Sequence, residues 1–79
     1  MRIEIQGGRR IICGHIFPAN EILPGEKWMS SGNSIVTIDR VEDGDVYYYW
    51  YENGVKKEHD KDSFSFQCRY CKIVEAGIS

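Results

Sequence analysis

The sequence predicts an all-β fold, and two observations support that prediction. No segment shows the sustained period of about 3.6 residues that marks an amphipathic helix, and Pro18 and Pro24 leave room for only one short helical turn between them. Runs of β-branched and aromatic residues are instead separated by Gly-Gly, Asp-Gly and Asn-Gly, which are typical of tight hairpin turns. A chain of 79 residues is too short for two hydrophobic cores, so we expect one domain spanning residues 1–79.

The strongest strand signal is a run of five consecutive aromatic residues that starts at Tyr47 and is followed by Asn53-Gly54. Successive side chains of a strand point to opposite faces of the sheet, so these rings divide into two sets. One face carries Val46, Tyr48 and Trp50, and the other carries Tyr47, Tyr49 and Tyr51. If the first set fills the core, the second forms a stripe of tyrosines on the outside.

The preceding strand, residues 34–41, raises a conflict of register. An uninterrupted ladder through the Asp-Gly turn would pair Ile38 with Tyr49 and would place Val36 and Ile38 on the tyrosine side. Either the tyrosine stripe is half-buried, or a β-bulge near Asp39 and Arg40 shifts the phase so that Val36 and Ile38 join the inward face. We favour the bulge.

The N-terminal segment, residues 2–17, predicts a hairpin around Gly7-Gly8 that places Ile3 opposite Ile12. One face of this hairpin then carries four isoleucines: Ile3, Ile5, Ile12 and Ile16. An isolated hairpin is marginally stable in water, so we expect that face to pack on the rest of the domain. One interpretation is that the hairpin covers the tyrosine stripe.

The C-terminal part predicts a return strand over residues 55–59 and a polar turn over residues 60–63, in which Ser63 caps one turn of helix. The aromatic residues Phe64, Phe66 and Tyr70 are expected to anchor that turn to the core, and residues 70–74 form a last strand. Trp28 is expected to fill the core beside Trp50.

Several short segments and single residues, spaced along the predicted strands and turns, together form a sequence pattern: Pro24-Gly25-Glu26-Lys27-Trp28, Val36-Thr37-Ile38, Val41, Asp43-Gly44, Val46-Tyr47-Tyr48, Ser65-Phe66, Tyr70 and Val74. This pattern resembles that of small SH3-like (Tudor- or KOW-like) barrels encoded by bacteriophages and prophages, many of which are domains of unknown function. The resemblance covers about residues 24–74 and implies a five-stranded, strongly bent barrel, a phage or host setting and no catalytic residues. The hairpin of residues 2–17 lies outside it and either extends the barrel, covers one end of it or makes a dimer contact.

Charge and cysteine content limit the classes of function. The net charge of −2 supplies no basic field of the kind that accompanies nucleic-acid binding. The N-terminus shows no apolar signal-peptide region, and no apolar run approaches the length of a membrane span. Three cysteines are too few for a disulfide framework, so we interpret them as reduced thiols of a cytoplasmic protein that needs no cofactor.

A zinc site is an alternative role for the cysteines. Cys68 and Cys71 have the spacing of a zinc half-site, and Cys13 and His15 are available as the other two ligands. In a straight strand, however, residues three apart face opposite sides, and no Gly or Pro between Cys68 and Cys71 favours a tight turn. We therefore favour ordinary thiols. No serine or cysteine forms a recognisable nucleophile motif with a histidine, so we expect no enzymatic activity.

The tyrosine stripe is the best functional candidate. Tyrosine offers rigid, amphipathic contact area, so we predict a surface that binds a host or phage protein. It comprises Tyr47, Tyr49, Tyr51, Arg40 and Lys56. Two alternatives remain: a nucleic-acid binder that stacks bases on the same rings, with its phosphates met by Arg9, Arg10, Lys56 and Lys57, and a zinc-stabilised structural domain.

Overall fold

The computed structural model describes residues 2–75, which form seven strands, one short α-helix and one 3₁₀ turn. The strands are β1 (Arg2–Gln6), β2 (Arg9–Cys13), β3 (Lys27–Ser30), β4 (Ile35–Glu42), β5 (Asp45–Glu52), β6 (Val55–Asp62) and β7 (Tyr70–Glu75). The α-helix, α1, is Ser63–Arg69, and the 3₁₀ turn is Ala19–Glu21. The predicted all-β class is confirmed, as is the single short turn between Pro18 and Pro24.

All seven strands belong to one antiparallel sheet with the order β1-β2-β7-β3-β4-β5-β6. The N-terminal hairpin adds to the sheet by pairing β2 with β7, and β7 pairs on its other side with β3. Strands β1 and β6 are the two edges, so the described residues form one open sheet of seven strands instead of a closed barrel of five. The hairpin thus extends the sheet and does not cover it.

Two-residue turns set the register on both sides of β5. Asp43 and Gly44 have φ angles of 53° and 81°, and Asn53 and Gly54 have φ angles of 52° and 80°. Positive φ at both central residues is the turn that suits the right-handed twist of a hairpin. The ladder of β5 with β6 continues without interruption from Val55 to Asp62, so the polar turn predicted over residues 60–63 is wrong: residues 60–62 belong to β6, and Ser63 begins α1. Backbone pairing with β5 outweighs the polar composition of that segment.

The predicted bulge is confirmed at Asp39. Arg40 lies opposite Tyr47, whereas Ile38 lies opposite Tyr48, so Asp39 is an extra residue in β4. Its effect is to return Ile38 to the inward face, where Ile38 and Tyr48 are 1% and 2% exposed.

The main core is a cluster of buried side chains on one face of the sheet: Ile22, Trp28, Val36, Ile38, Val46, Tyr48 and Phe66. Trp28 fills the core as predicted, with its ring at an angle to those of Phe17 and Phe66 at centroid distances of 6.1 and 5.2 Å. Fully burying a large apolar side chain contributes roughly 1.5–3 kcal/mol. A smaller cluster of Ile11, Met29 and Ile73 lies where β2, β7 and β3 adjoin.

Helix α1 covers part of this core. Its N-cap is Asp62, not Ser63, because a carboxylate oxygen of Asp62 accepts a hydrogen bond from the backbone amide of Ser65 at 3.1 Å. Phe66 is fully buried, but Phe64 is 60% exposed, so the prediction that both anchor the helix is wrong for Phe64. Residues two apart lie on nearly opposite sides of a helix and cannot both face the sheet.

Buried Gln67 ties the helix to the chain that follows β2. Its Oε1 accepts a hydrogen bond from the backbone amide of Phe17 at 2.7 Å, and its Nε2 donates to the carbonyl of Phe17 at 2.9 Å. Both ends of the side-chain amide are therefore satisfied, which is what burial of a polar group requires.

Cys13 and Cys71 form a disulfide, so the prediction of reduced thiols is wrong for these two residues. The register of β2 with β7 pairs Ile11 with Ile73. Two residues further along each strand, on the same face, Cys13 lies opposite Cys71 with their Cα atoms 4.8 Å apart. Cys68 is a free, exposed thiol. The disulfide removes the main support for a cytoplasmic location, because disulfides are rare in the cytosol.

The described residues contain no helix that is long and apolar enough to cross a membrane.

Removing the disulfide is expected to lower the free energy of unfolding. The two cysteines are 58 residues apart, and the chain-entropy relation assigns about 4 kcal/mol to a loop of this length. We expect urea unfolding of Cys13→Ser/Cys71→Ser to show a loss approaching that value, whereas Cys68→Ser stays within about 0.5 kcal/mol of the wild type. Three reactive thiols in denatured, unreduced protein would contradict the disulfide.

Acid is expected to weaken the cap of α1. The hydrogen bond from the Ser65 amide lowers the pKa of Asp62 below its ordinary value of 3.8. A carboxyl whose pKa is lower in the folded state stabilises the fold above the unfolded pKa, and that contribution is lost as pH falls through the folded pKa. From about pH 5 to pH 2, the melting temperature of the wild type should fall more steeply than that of Asp62→Asn, which caps without titrating. An equal fall of the melting temperature with pH in the wild type and in Asp62→Asn would contradict the role of the Asp62 carboxylate as the cap.

Candidate functional site

The outer side of β5 carries Tyr47, Tyr49 and Tyr51 on one surface, as the alternation of the strand predicts. Tyr51 is 66% exposed, while Tyr47 and Tyr49 are half-buried. The N-terminal hairpin lies beyond β7, on the other side of β3 and β4, so the interpretation that it covers the tyrosines is wrong. We call these three tyrosines, together with Arg40 and Lys56, the tyrosine face.

Cations lie on two of the three rings. The guanidinium carbon of Arg40 is 4.0 Å from the ring centroid of Tyr47, and the ammonium nitrogen of Lys56 is 4.5 Å from that of Tyr49. The rings of Tyr49 and Tyr51 are nearly perpendicular, at 87°, with their centroids 6.1 Å apart. Such contacts are individually weak, and they join the five predicted residues into two groups, Arg40 with Tyr47 and Lys56 with Tyr49 and Tyr51.

Both cations of the tyrosine face are also paired with carboxylates. Arg40 contacts Asp39 at 2.7 Å and Glu42 at 3.3 Å, and Lys56 contacts Glu58 at 3.4 Å. Hydrogen bonds to Glu42 and then Asp39 raise the pKa of Arg40, and the hydrogen bond to Glu58 raises the pKa of Lys56. These pairs are exposed and contribute little to stability. Their consequence is that neither cation offers an uncompensated charge to a polyanion.

A shallow groove of about 370 Å³ runs along the rings of Tyr47 and Tyr49. Three carboxylates line it, those of Asp39, Glu58 and Asp60, against the single guanidinium of Arg40. Because Arg40 is paired with Asp39 and Lys56 with Glu58, the carboxylate of Asp60 gives the groove its net negative charge, beside two aromatic rings in its wall.

Sequence reasoning missed Glu58 and Asp60 as part of this surface. The ladder of β5 with β6 places Asp60 opposite Tyr47 and Glu58 opposite Tyr49. Directly opposite residues of an antiparallel pair share a face. The Asn53-Gly54 turn carries the information needed to predict this for Glu58, which the predicted strand of residues 55–59 includes, whereas ending that strand at residue 59 left out Asp60.

Tyr48 forms the inner side of the same strand. Its ring centroid lies 6.0 Å from that of the stacked Trp50, 4.9 Å from that of Phe66 and 5.9 Å from that of His59, whose ring is inclined at 73°. Burial raises the pKa of the Tyr48 phenol, and the neighbouring phenol of Tyr70 adds to the effect. Strand β5 is therefore held rigidly from within while its outer rings face solvent.

The structure does not assemble the residues that the two alternative functions need. Cys13 and Cys71 are bonded to each other, His15 packs against Phe17, and among residues 2–75 no group of three or more His, Cys, Asp or Glu side chains is placed to hold a metal ion. The basic residues proposed to meet phosphates are also split. Arg9 and Arg10 lie on β2, and four strands separate them from the lysines of β6.

The chain matches no protein-family model, no curated protein and no solved structure. We therefore infer its function from the geometry of the tyrosine face.

The two sides of β5 are expected to respond differently to truncation. Tyr48→Ala removes a buried ring and should cost about 3–5 kcal/mol of unfolding free energy. Tyr51→Ala removes an exposed ring with one edge contact and should cost less than about 1 kcal/mol. Urea unfolding of the two variants tests this difference. Equal losses would mean that the outer rings are part of the core.

Proposed function

We propose that this protein is a non-catalytic interaction module that binds a basic segment of a partner protein on the tyrosine face. The observation that carries this proposal is the combination of a row of surface tyrosines, one exposed and two half-buried, with the acidic groove beside it. Tyrosine is enriched in protein interfaces because it contributes a large contact area at a low cost in conformational entropy.

The chemistry of the groove favours Lys or Arg side chains as its ligands. The carboxylates of Asp39, Glu58 and Asp60 accept hydrogen bonds from such cations, and the exposed ring of Tyr51 offers a face for a cation–π contact. The internal contacts of Arg40 with Tyr47 hold that part of the surface in its binding conformation before the partner arrives. Preorganisation of this kind lowers the entropic cost of association.

The same charges disfavour the nucleic-acid alternative. A binder of single strands needs uncompensated basic groups beside its stacking rings. Here the adjacent cations are neutralised by Asp39, Glu42 and Glu58, and Asp60 adds further negative charge to the groove.

We further propose, from the resemblance of residues 24–74, that strands β3–β7 with α1 form an SH3-like unit of phage origin. Three features support this: Pro24-Gly25 precedes β3, the Asp43-Gly44 turn joins β4 to β5, and α1 comes directly before β7. On this proposal the partner is a host or phage protein.

The proposal is tested by titrating the protein with a lysine- and arginine-rich peptide and with a single-stranded oligonucleotide, following intrinsic fluorescence at one ionic strength. We expect saturable binding of the peptide only. Tyr51→Ala should weaken it about fivefold, the equivalent of roughly 1 kcal/mol for an exposed cation–π contact.

Two variants that each remove one carboxylate show where on the protein the peptide binds. Asp60→Asn removes a carboxylate from the groove and should weaken peptide binding. Asp43→Asn removes a carboxylate from the β4–β5 turn outside the groove, at a backbone position with φ of 53° that asparagine tolerates, and should leave binding unchanged. Binding of the oligonucleotide alone, with a steep loss on adding salt, would overturn the proposal.

A further inference from the structure

Strand β1 forms one edge of the sheet, and within residues 2–75 no strand pairs on its outer side. An edge strand presents backbone donors and acceptors that can pair with another strand. Two of its side chains are also exposed: Ile3 is 50% and Ile5 is 67% accessible to solvent. These isoleucines were expected to pack on the rest of the domain, and the structure leaves them at its surface.

The opposite edge of the sheet, β6, is protected in a way that β1 is not. Six of the eight residues of β6 are charged: Lys56, Lys57, Glu58, Asp60, Lys61 and Asp62. Charged side chains, lysine above all, are a common means of preventing edge strands from pairing with other molecules. Strand β1 contains no lysine and alternates charged residues with isoleucine. Of the two edges, β1 is therefore the one suited to pairing.

We propose that β1 pairs antiparallel with β1 of a second copy of this chain, with the two-fold axis at Ile3. Opposite residues of an antiparallel pair share a face, so the isoleucines of the two copies stay together with the axis at Ile3, Glu4 or Ile5. An axis at Ile3 places Arg2 opposite Glu4 of the second copy. An axis at Glu4 places Glu4 opposite Glu4, and an axis at Ile5 places Glu4 opposite the uncharged Gln6. Like charges directly opposite each other are destabilising, whereas opposite charges stabilise, and the first register is thereby selected.

The charged side of β1 is already arranged for this register. Arg2 and Glu4 form an ion pair at 3.1 Å within one chain, with their side chains 72% and 40% exposed. In the dimer, each charge also meets its opposite on the second copy, which gives an alternating group of four. On the other face the two Ile3 side chains meet at the axis, and the sheets of the two copies become continuous.

This interface is independent of the tyrosine face. Strands β2, β7, β3 and β4 separate β1 from β5, so both surfaces are available at once. The dimer therefore carries two tyrosine faces, and none of their residues lies in the β1–β1 interface.

Analytical ultracentrifugation over a range of concentrations tests the proposal in a Cys68→Ser background, which prevents an intermolecular disulfide through the exposed thiol. The mass should rise with concentration from 9.2 kDa towards twice that value. Arg2→Glu and Glu4→Arg should each raise the concentration needed for dimerisation by at least about tenfold, the effect of about 1.4 kcal/mol, because each places like charges opposite each other. An equimolar mixture of the two variants should recover dimerisation, since the mixed pair restores opposite charges.

Three outcomes would overturn the proposal. The parent protein could remain monomeric at every concentration, as it would if β1 pairs only with a strand of another protein. Arg2→Glu could dimerise as well as the parent, as it would if Glu4 lay on the axis or another surface were used. Lys57→Glu, a charge reversal of matched size on β6, could weaken dimerisation as much as Arg2→Glu does. Circular dichroism of each variant confirms that the fold is retained.

Discussion

One extra residue in β4 determines the arrangement of the sheet's two sides. Because Asp39 is bulged, Ile38 lies opposite Tyr48 and is buried, and Val36 is buried with it. An unbroken ladder would turn both side chains outward and would forfeit roughly 1.5–3 kcal/mol for each. The same bulge places Asp39 beside Arg40 on the solvent side, where the guanidinium lies over the ring of Tyr47. Core and surface therefore depend on one local feature of the backbone.

A second group of contacts joins the N-terminal hairpin to this core. Lys72 of β7 forms a largely buried ion pair with Glu26 at 3.2 Å and lies over the ring of Phe17 at 4.7 Å. Glu26 also accepts a hydrogen bond from the indole of Trp28. With the disulfide and the hydrogen bonds of Gln67, these contacts hold the hairpin in the sheet. Strand β1 lies beyond β2 at the edge of the sheet, and its isoleucines Ile3 and Ile5 remain exposed.

Local features of this fold could be predicted from the sequence, and distant ones could not. The positions of the turns, the two sides of β5 and the bulge follow from side-chain alternation and from paired turn residues such as Asp43-Gly44. The pairing of the hairpin with β7 depends on which segments meet after folding, and so does the disulfide. The odd number of cysteines argued against a disulfide and so concealed the pair Cys13–Cys71. Asp60 was missed as part of the groove because the polar sequence that starts there resembles a turn, although pairing with β5 makes residues 60–62 part of β6.

Nuclear magnetic resonance tests the register at the bulge most directly. Cross-strand nuclear Overhauser effects should connect Arg40 with Tyr47 and Ile38 with Tyr48, with Asp39 lacking a directly opposite residue in β5. Contacts that instead continue in step from Val41 and Val46, and so connect Ile38 with Tyr49, would contradict the account. In that case Val36 and Ile38 would lie beside the tyrosines on the outer face of the sheet, and the core on the inner face would lack both side chains.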